Sequence, residues 1–271
     1  MFDYLEYLRE RNFPHIWCSG CGDGIVLKAL LRSLKKLEID RDEAVMVSGI
    51  GCSSRTPGYV DINTLHTTHG RALAFATGVK AAKPDLHVIV VTGDGDATAI
   101  GGNHFIHAAR RNIDITVLLY NNYIYGMTGG QCSPTTPRGA KASTAQFGNL
   151  EPPFNISGLA AAAGASFVAR GDVYNAKKLE NLITKALQKK GFSLVEVVTP
   201  CPTAYGRRNR MANPVRMMED LRDKAVSVEK WERMSAEERK GRFRTGVLVD
   251  VDKPEYTSEY ARLVAEIRTD G

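Results

Sequence analysis

Five cysteines and one Gly-Asp-Gly turn carry most of the chemistry that can be read from this chain. Cys18 and Cys21 form a Cys-x-x-Cys pair in WCSGCG, Cys52 closes SGIGC, and Cys201 follows the apolar run VEVVTP. Gly93, Asp94 and Gly95 follow a second apolar run, HVIVVT, and Asn121 and Asn122 follow a third, ITVLLY. A Cys-x-x-Cys pair with two remote cysteines can ligate either zinc or a four-iron cluster, and spacing does not choose between them. Asp94 and Asn122 offer a carboxylate and an amide oxygen. With a main-chain carbonyl nearby they make a facial set for Mg2+, which takes octahedral oxygen ligands at about 2.0–2.1 Å and shares them with phosphate and water. Gly93 and Gly95 let the backbone approach a diphosphate closely, and the amides opening the next helix can donate to it.

The periodicity of the chain shows which elements hold these residues. Ile25, Leu27, Leu30, Leu31, Leu34 and Leu37 line one face of a helix. A strand at 44–47, a helix at 69–82 stopped near Pro84, a buried strand at 87–92, a helix at 103–110 and a strand at 115–120 follow. Residues 123–153, rich in Gly, Thr, Ser and Pro, are too long for a plain connection and read as a functional loop. The alternation then resumes with a helix at 156–163, a strand at 166–169, a helix at 175–190 and a strand at 193–199. Such alternation implies an α/β fold, a mostly parallel sheet with helices on both faces. Cys52, Asp94, Asn122 and Cys201 all fall just past the carboxyl end of a strand, where an open parallel sheet forms its ligand crevice. Cys18 lies just before the first helix and reaches the same rim. After Cys201 the pattern breaks into charged helical segments at 216–224 and 229–240. The expected division is one domain over 1–200 and a C-terminal arm over 201–271, lying on the surface or on another subunit and carrying the last of these cysteines.

Composition narrows the function. The 271 residues are 43% hydrophobic and 24% charged, and no apolar run of about 18 residues could span a membrane. The opening MFDYLEYLRERN carries charges where a secretory signal needs an apolar core, so a cytoplasmic protein is expected, in which cysteines serve metals rather than disulfides. The formal charge of +6 is scattered; Arg207, Arg208 and Arg210 form only a short cluster, so no nucleic acid partner is expected. An acidic substrate or an acidic protein partner fits that charge.

GDG followed, across one helix and one strand, by Asn-Asn resembles the signature of thiamine diphosphate enzymes. That resemblance implies Asp94, Asn122 and the carbonyl of Ile124 as Mg2+ ligands. A cofactor-bound carbanion that releases electrons singly needs a one-electron acceptor, and zinc has no redox chemistry. The cysteines together with SGIGCSSR, HTTHGRALAFATGVK, GDGD, NNYIYGMTGGQ and SPTTP resemble the β subunit of the 2-oxoacid:ferredoxin oxidoreductases, from Cys18 to about Arg210. The resemblance implies a thiamine diphosphate-binding fold, with Cys18, Cys21, Cys52 and Cys201 as ligands of a [4Fe-4S] cluster. Cys132 is a passive thiol on this reading. Ile50, Gly51, Cys52 and Ser53 resemble the turn that approaches the cofactor, His69 the histidine that contacts it, and Gly93, Gly95, Asp96, Gly126 and Met127 its remaining diphosphate and thiazole contacts. His66 has no assigned role.

The implied activity is oxidation of a 2-oxoacid with coenzyme A, releasing carbon dioxide and passing electrons to ferredoxin, or the reverse. Thiamine is activated by a glutamate that such enzymes take from a second α/β domain, for which this chain is too short. An α subunit is therefore expected to complete the site, in a heterotetramer of two α and two β chains. Arg55, just past Cys52, is suited to grip a distal carboxylate, its alternative being a surface or diphosphate-linked arginine. With WCSGCGDG and CPTAYGRRN, it points to the 2-oxoglutarate branch rather than to pyruvate or a branched 2-oxoacid. A non-oxidative thiamine decarboxylase subunit with structural zinc and a non-catalytic electron carrier are the rival classes.

Overall fold

The computed structural model describes residues 4–269. After three-residue 3-10 turns at its start, the chain forms α1 (Asp23–Lys36), β1 (Ala44–Ser48), β2 (Asn63–His66), α2 (Ala72–Ala82), β3 (His87–Gly93), α3 (Gly102–Arg110) and β4 (Thr116–Asn121). A small hairpin, β5 (Ile124–Tyr125) with β6 (Gln131–Cys132), sits in the long loop. Then come α4 (Ile156–Ala163), β7 (Phe167–Asp172), α5 (Ala176–Gln188), β8 (Ser193–Val198), α6 (Pro214–Lys224), β9 (Ala225–Ser227), α7 (Val228–Arg233), α8 (Ala236–Arg239), β10 (Phe243–Asp250) and α9 (Tyr256–Thr269).

Eight strands form one sheet in the order β2-β1-β3-β4-β8-β7-β10-β9, parallel except where β10 runs against β7. Each central strand buries both faces, and its alternating side chains feed two cores. Met46, Ile89, Leu118 and Val195 pack against Val26, Leu30 and Leu34 of α1 and Leu179 and Ile183 of α5. Val47, Val90, Val117 and Leu194 face Leu73 of α2, Phe105 of α3 and Ala160 of α4. The register aligns the carboxyl ends: Ser48 pairs with Val91, Gly93 with Tyr120, and Asn121 with Val198. The loops leaving β1, β3, β4 and β8 therefore emerge at one edge, which is what brings Cys52, Asp94, Asn122 and Cys201 together.

The elements differ from the expected pattern in four places. Residues 69–71 form a turn, with Gly70 at φ +65°, so α2 begins at Ala72 rather than His69. Strand β2 is short and half exposed, and its sequence lacks an apolar run. The charged segment 229–240 is two short helices, broken where Ser235 starts a capping box with Glu238. Beyond 201 the chain returns to the main sheet: β10 pairs antiparallel with β7 and β9 pairs with β10. Its mixed burial gives β10 no clean alternation to read. Two π-helical turns follow the chemistry-bearing residues directly, Asp96–Ile100 after the GDG turn and Pro202–Gly206 after Cys201.

Candidate functional site

A cavity opens at the carboxyl edge, walled by Ile50, Gly51, Cys52 and Ser53 from the loop after β1 and by Gly93, Asp94, Gly95 and Asp96 after β3. Asn122, Ile124, Gly126 and Met127 after β4, and His69 before α2, complete it. Every residue expected to touch the cofactor thus lines one space, with His69 exposed at its mouth. Gly95 has to be glycine: a Cβ there would stand 2.2 Å from the Tyr125 ring. Tyr123 takes a left-handed φ of 64°, a strained conformation of the kind concentrated at functional turns. This turn is held by the Ile124 amide donating to Asn122 Oδ1 at 3.2 Å.

Asp94 is buried, and burial pushes its pKa up to about 6 against the opposing bonds from Ser133 and Thr135. Its Oδ2 accepts from Ser133 Oγ at 2.6 Å and from the Thr135 hydroxyl. Asp96 turns its carboxylate to protein donors instead, the Gly70 amide at 2.7 Å and Thr92 Oγ1 at 2.8 Å, and so ties the loop before α2 to the end of β3.

The four remote-pair cysteines are free thiols around the same edge, Cys18 exposed and the others half-buried. A Cβ on Gly126 would lie 3.4 Å from Cys52 Sγ and 3.6 Å from Cys201 Sγ, so the bare glycine separates these sulfurs from the cofactor cavity. The Asp23 amide donates toward the Cys21 sulfur, and the Ala204 and Tyr205 amides toward that of Cys201. Burial raises the thiol pKa of Cys21 and Cys201 and pushes Cys52 up to about 12. Cys18 is close enough to Cys52 and Cys201 to act on both electrostatically. Among the described residues no group of three His, Cys, Asp or Glu side chains is drawn close enough to hold a single ion. Cys132, on β6, packs against Ile124, Ala142 and Ala204, a small cluster that Cys201 also borders.

Arg55 lies in the 3-10 segment Ser53–Gly58, with its Nε buried and without an acceptor. His66 bonds Ser48 Oγ through Nδ1 at 2.8 Å, and burial and the charge of Arg55 hold its pKa low.

Several residues that shape the site carry no sequence signal of their own. Asp23 lines the cavity 1% exposed with neither carboxylate oxygen hydrogen-bonded; burial, reinforced by the charge of Asp94, pushes it up to about 7. Its place two residues after Cys21 made it look like an ordinary acid in a first helical turn. Ser133 and Thr135 belong to the SPTTP stretch that carries the family resemblance, but that stretch assigns neither of them a role. Glu196, buried on β8, bonds Asn121 Nδ2 at 2.9 Å and Arg170 at 2.8 Å.

A family model described as thiamine pyrophosphate enzyme, C-terminal TPP binding domain, matches residues 49–197. The 2-oxoglutarate synthase subunit KorB of Methanocaldococcus jannaschii is 50% identical over 270 residues, covering 100% of both chains. That of Archaeoglobus fulgidus is 60% identical over 201 residues, 74% of this chain and 75% of its own. A solved structure, the 2-oxoglutarate:ferredoxin oxidoreductase of Magnetococcus marinus with 2-oxoglutarate, coenzyme A and succinyl-CoA bound, superposes with a TM-score of 0.88 at 34% identity, over 98% of this chain and 91% of that one. With thiamine-type cavity, cysteine rim and relatives in agreement, this chain belongs to the β-subunit family of the 2-oxoacid:ferredoxin oxidoreductases, in its 2-oxoglutarate branch.

Proposed function

We propose that the chain is the cofactor-bearing β subunit of a cytoplasmic 2-oxoglutarate:ferredoxin oxidoreductase, converting 2-oxoglutarate and coenzyme A to succinyl-CoA and carbon dioxide with reduction of ferredoxin. The observation that carries this is the meeting of Cys52, Cys201, Asp94 and Asn122 around a single cavity edge. Thiamine diphosphate supplies the carbon nucleophile for decarboxylation, and a [4Fe-4S] cluster supplies a one-electron acceptor beside it.

The residues present fit these groups. Asp94 is a buried carboxylate whose pKa is raised by burial, and with Asn122 and the Ile124 carbonyl on the same cavity it would offer oxygens of the kind Mg2+ takes. Amides near Cys21 and Cys201 favour the thiolate, the form in which cysteine binds iron, against the burial that raises both thiols. In a cubane each thiolate binds its own iron, so Cys18, Cys21, Cys52 and Cys201 need not converge on one point, as a single zinc would require. Gly93 and Gly95 let the diphosphate lie against the backbone, and Ile50, Gly51, Ser53, Asp96, Gly126, Met127 and His69 wall the cofactor. Arg55 does not itself line the cavity; on this reading its guanidinium, whose Nε is buried without an acceptor, would reach a distal carboxylate from the loop just past Cys52.

The mouth of the cavity is rimmed by exposed apolar side chains, Ile100 at 57% and Met127 at 44%. They suit cover by an α subunit that brings the activating glutamate, in a complex of two α and two β chains. Free thiols suit a reducing compartment, and among the described residues no helix is long and apolar enough to cross a membrane.

The test is the complex purified anaerobically. Iron, sulfide and thiamine diphosphate are expected in it, with turnover of 2-oxoglutarate well above that of pyruvate or a branched 2-oxoacid. Equal rates would refute the substrate, and zinc in place of iron would refute the oxidative reaction. Arg55→Gln is expected to raise KM for 2-oxoglutarate far more than for pyruvate.

A further inference from the structure

Resting on the magnesium reading above, we propose that Ser133 and Thr135 are positioning residues for the cation. On this proposal their hydroxyls clamp one oxygen of Asp94, so that the other is presented to the ion.

Three observations carry this. First, both hydroxyls converge on the same atom, Asp94 Oδ2, Ser133 at 2.6 Å and Thr135 closer still, with the two hydroxyl oxygens 3.0 Å apart. Each hydroxyl has a single proton to donate. With both given to Oδ2, that oxygen's lone pairs are committed to protein and Oδ1 is the one left for a ligand. Ser133 is 5% and Thr135 2% exposed, so water does not compete for these protons.

Second, the clamp packs against a fixed neighbour. Asn121 Oδ1 lies 3.0 Å from Thr135 Oγ1 and accepts the Tyr123 amide at 3.2 Å, leaving the Thr135 proton to Asp94, while Asn121 Nδ2 donates to Glu196 Oε1 at 2.9 Å. Glu196 is fixed in turn by Arg170 and by Ser157. Burial alone would raise Glu196, but the Arg170 charge and these bonds hold it below the ordinary carboxylate range. The chain of contacts therefore ends in a charged anchor on β7 and β8. Asn121 immediately precedes Asn122, so the same chain restrains both turns that offer oxygens to the ion.

Third, the clamp belongs to neither turn. Ser133 and Thr135 come from the long loop after β6, which is closed on itself by Thr136 Oγ1 donating to the Tyr123 carbonyl at 2.6 Å and Asn149 Nδ2 donating to the Thr136 carbonyl at 2.8 Å. The SPTTP stretch thus couples the fold of a 30-residue-scale connection to the aim of one carboxylate. Partners that orient a metal-binding side chain in this way typically change metal affinity by about 10–100-fold when removed.

The experiment is a Mg2+ titration of the whole complex stripped of metal and cofactor, at fixed thiamine diphosphate, followed by the circular dichroism or tryptophan signal of cofactor binding. Ser133→Ala/Thr135→Val is expected to need about 10–100-fold more Mg2+ than wild type. At saturating Mg2+ it should bind the cofactor fully, and its metal-free melting temperature should stay close to that of wild type. Thr135→Ser, which restores a donor without the methyl group, is expected to recover most of the affinity. An unchanged Mg2+ midpoint in the double variant would overturn the proposal. So would a variant whose metal-free form melts far lower and whose loss Thr135→Ser does not repair, because the hydroxyls would then serve the loop alone. If the wild-type complex binds thiamine diphosphate without any dependence on Mg2+, the magnesium reading itself fails, a result plainly different from a failed clamp.

Discussion

The amino and carboxyl ends of the same strands bury charge in opposite ways. At the amino ends, Lys80 Nζ lies 2.7 Å from Asp114 and donates to the Leu86 carbonyl, and Asp114 also accepts from the Gly191 amide. Asn112 there accepts from Ser166 and Phe192 and donates to the Pro254 carbonyl. Lys80 and Asn112, buried, and Asp114, half-buried, all have partners, and only the Ser193 hydroxyl at the start of β8 lacks one among the described residues at this edge. At the carboxyl ends, Asp23 has only the Cys21 thiol beside it, too loosely placed to satisfy either oxygen, and the Arg55 Nε has no acceptor. A buried polar group without a partner is costly, and at the carboxyl edge it is a carboxylate on the cavity wall, that of Asp23, which is left without a close donor.

The contrast sets opposite pH behaviour for the metal-free protein. Burial lifts Asp23 to about 7 and Asp94 to about 6, above the ~3.9 of an unfolded aspartate. A folded-state pKa above the unfolded one gives stability that is complete below about pH 4 and is lost as pH rises through 6 and 7. Asp114 goes the other way: burial would raise it, but Lys80 holds it low, so its contribution is present above about pH 4 and lost on acidification.

The largest expected effect is at the carboxyl edge. Cys52→Ser or Cys201→Ser should leave the sheet folded by circular dichroism while removing the iron and its electron paramagnetic resonance signal, whereas Cys132→Ser should keep both. Next, at the amino edge, Lys80→Ala should destabilise by about 1–3 kcal/mol in urea melts at pH 7, because Asp114 keeps the Gly191 amide and the exposed Lys190 but loses its buried partner, with the deficit shrinking toward pH 4. Asp23→Asn should do the reverse, stabilising the metal-free protein by on the order of 2–4 kcal/mol at pH 8 and by little at pH 4. An Asp23→Asn protein less stable than wild type at pH 8 would show that the carboxyl edge is satisfied after all. The smallest effect is expected for Gly126→Ala: its methyl would meet both cysteine sulfurs at ordinary contact distance, leaving melting unchanged and slightly altering the resonance line shape of the cluster.

The carboxyl edge was the more legible of the two in the amino-acid sequence. Cysteine, the GDG turn and the paired asparagines are rare residue types at telling spacings, and the alternation of apolar runs placed them at strand ends. What stayed hidden depends on contacts rather than on type. The SPTTP stretch stood out in the sequence, but nothing in it says that Ser133 and Thr135 are the hydroxyls that meet Asp94. Asp23 reads as a favourable first-turn acid until its surroundings are known. Strand β10 forms because β7 offers it an edge, and its charged context, with Arg242 and Arg244 on one side and Asp250 and Asp252 on the other, conceals that.

The π-helical turn Asp96–Ile100 sets a limit on how this site can change. Such a turn is in effect one residue inserted into a helix, and it leads straight into α3, whose Phe105 is fully buried. Deleting one residue there would restore an ordinary helical pitch and rotate everything downstream by about 100°, swinging Phe105 out toward solvent. The width of the diphosphate cradle and the anchoring of α3 are thus inherited as a single trait, and drift in either is checked by the other.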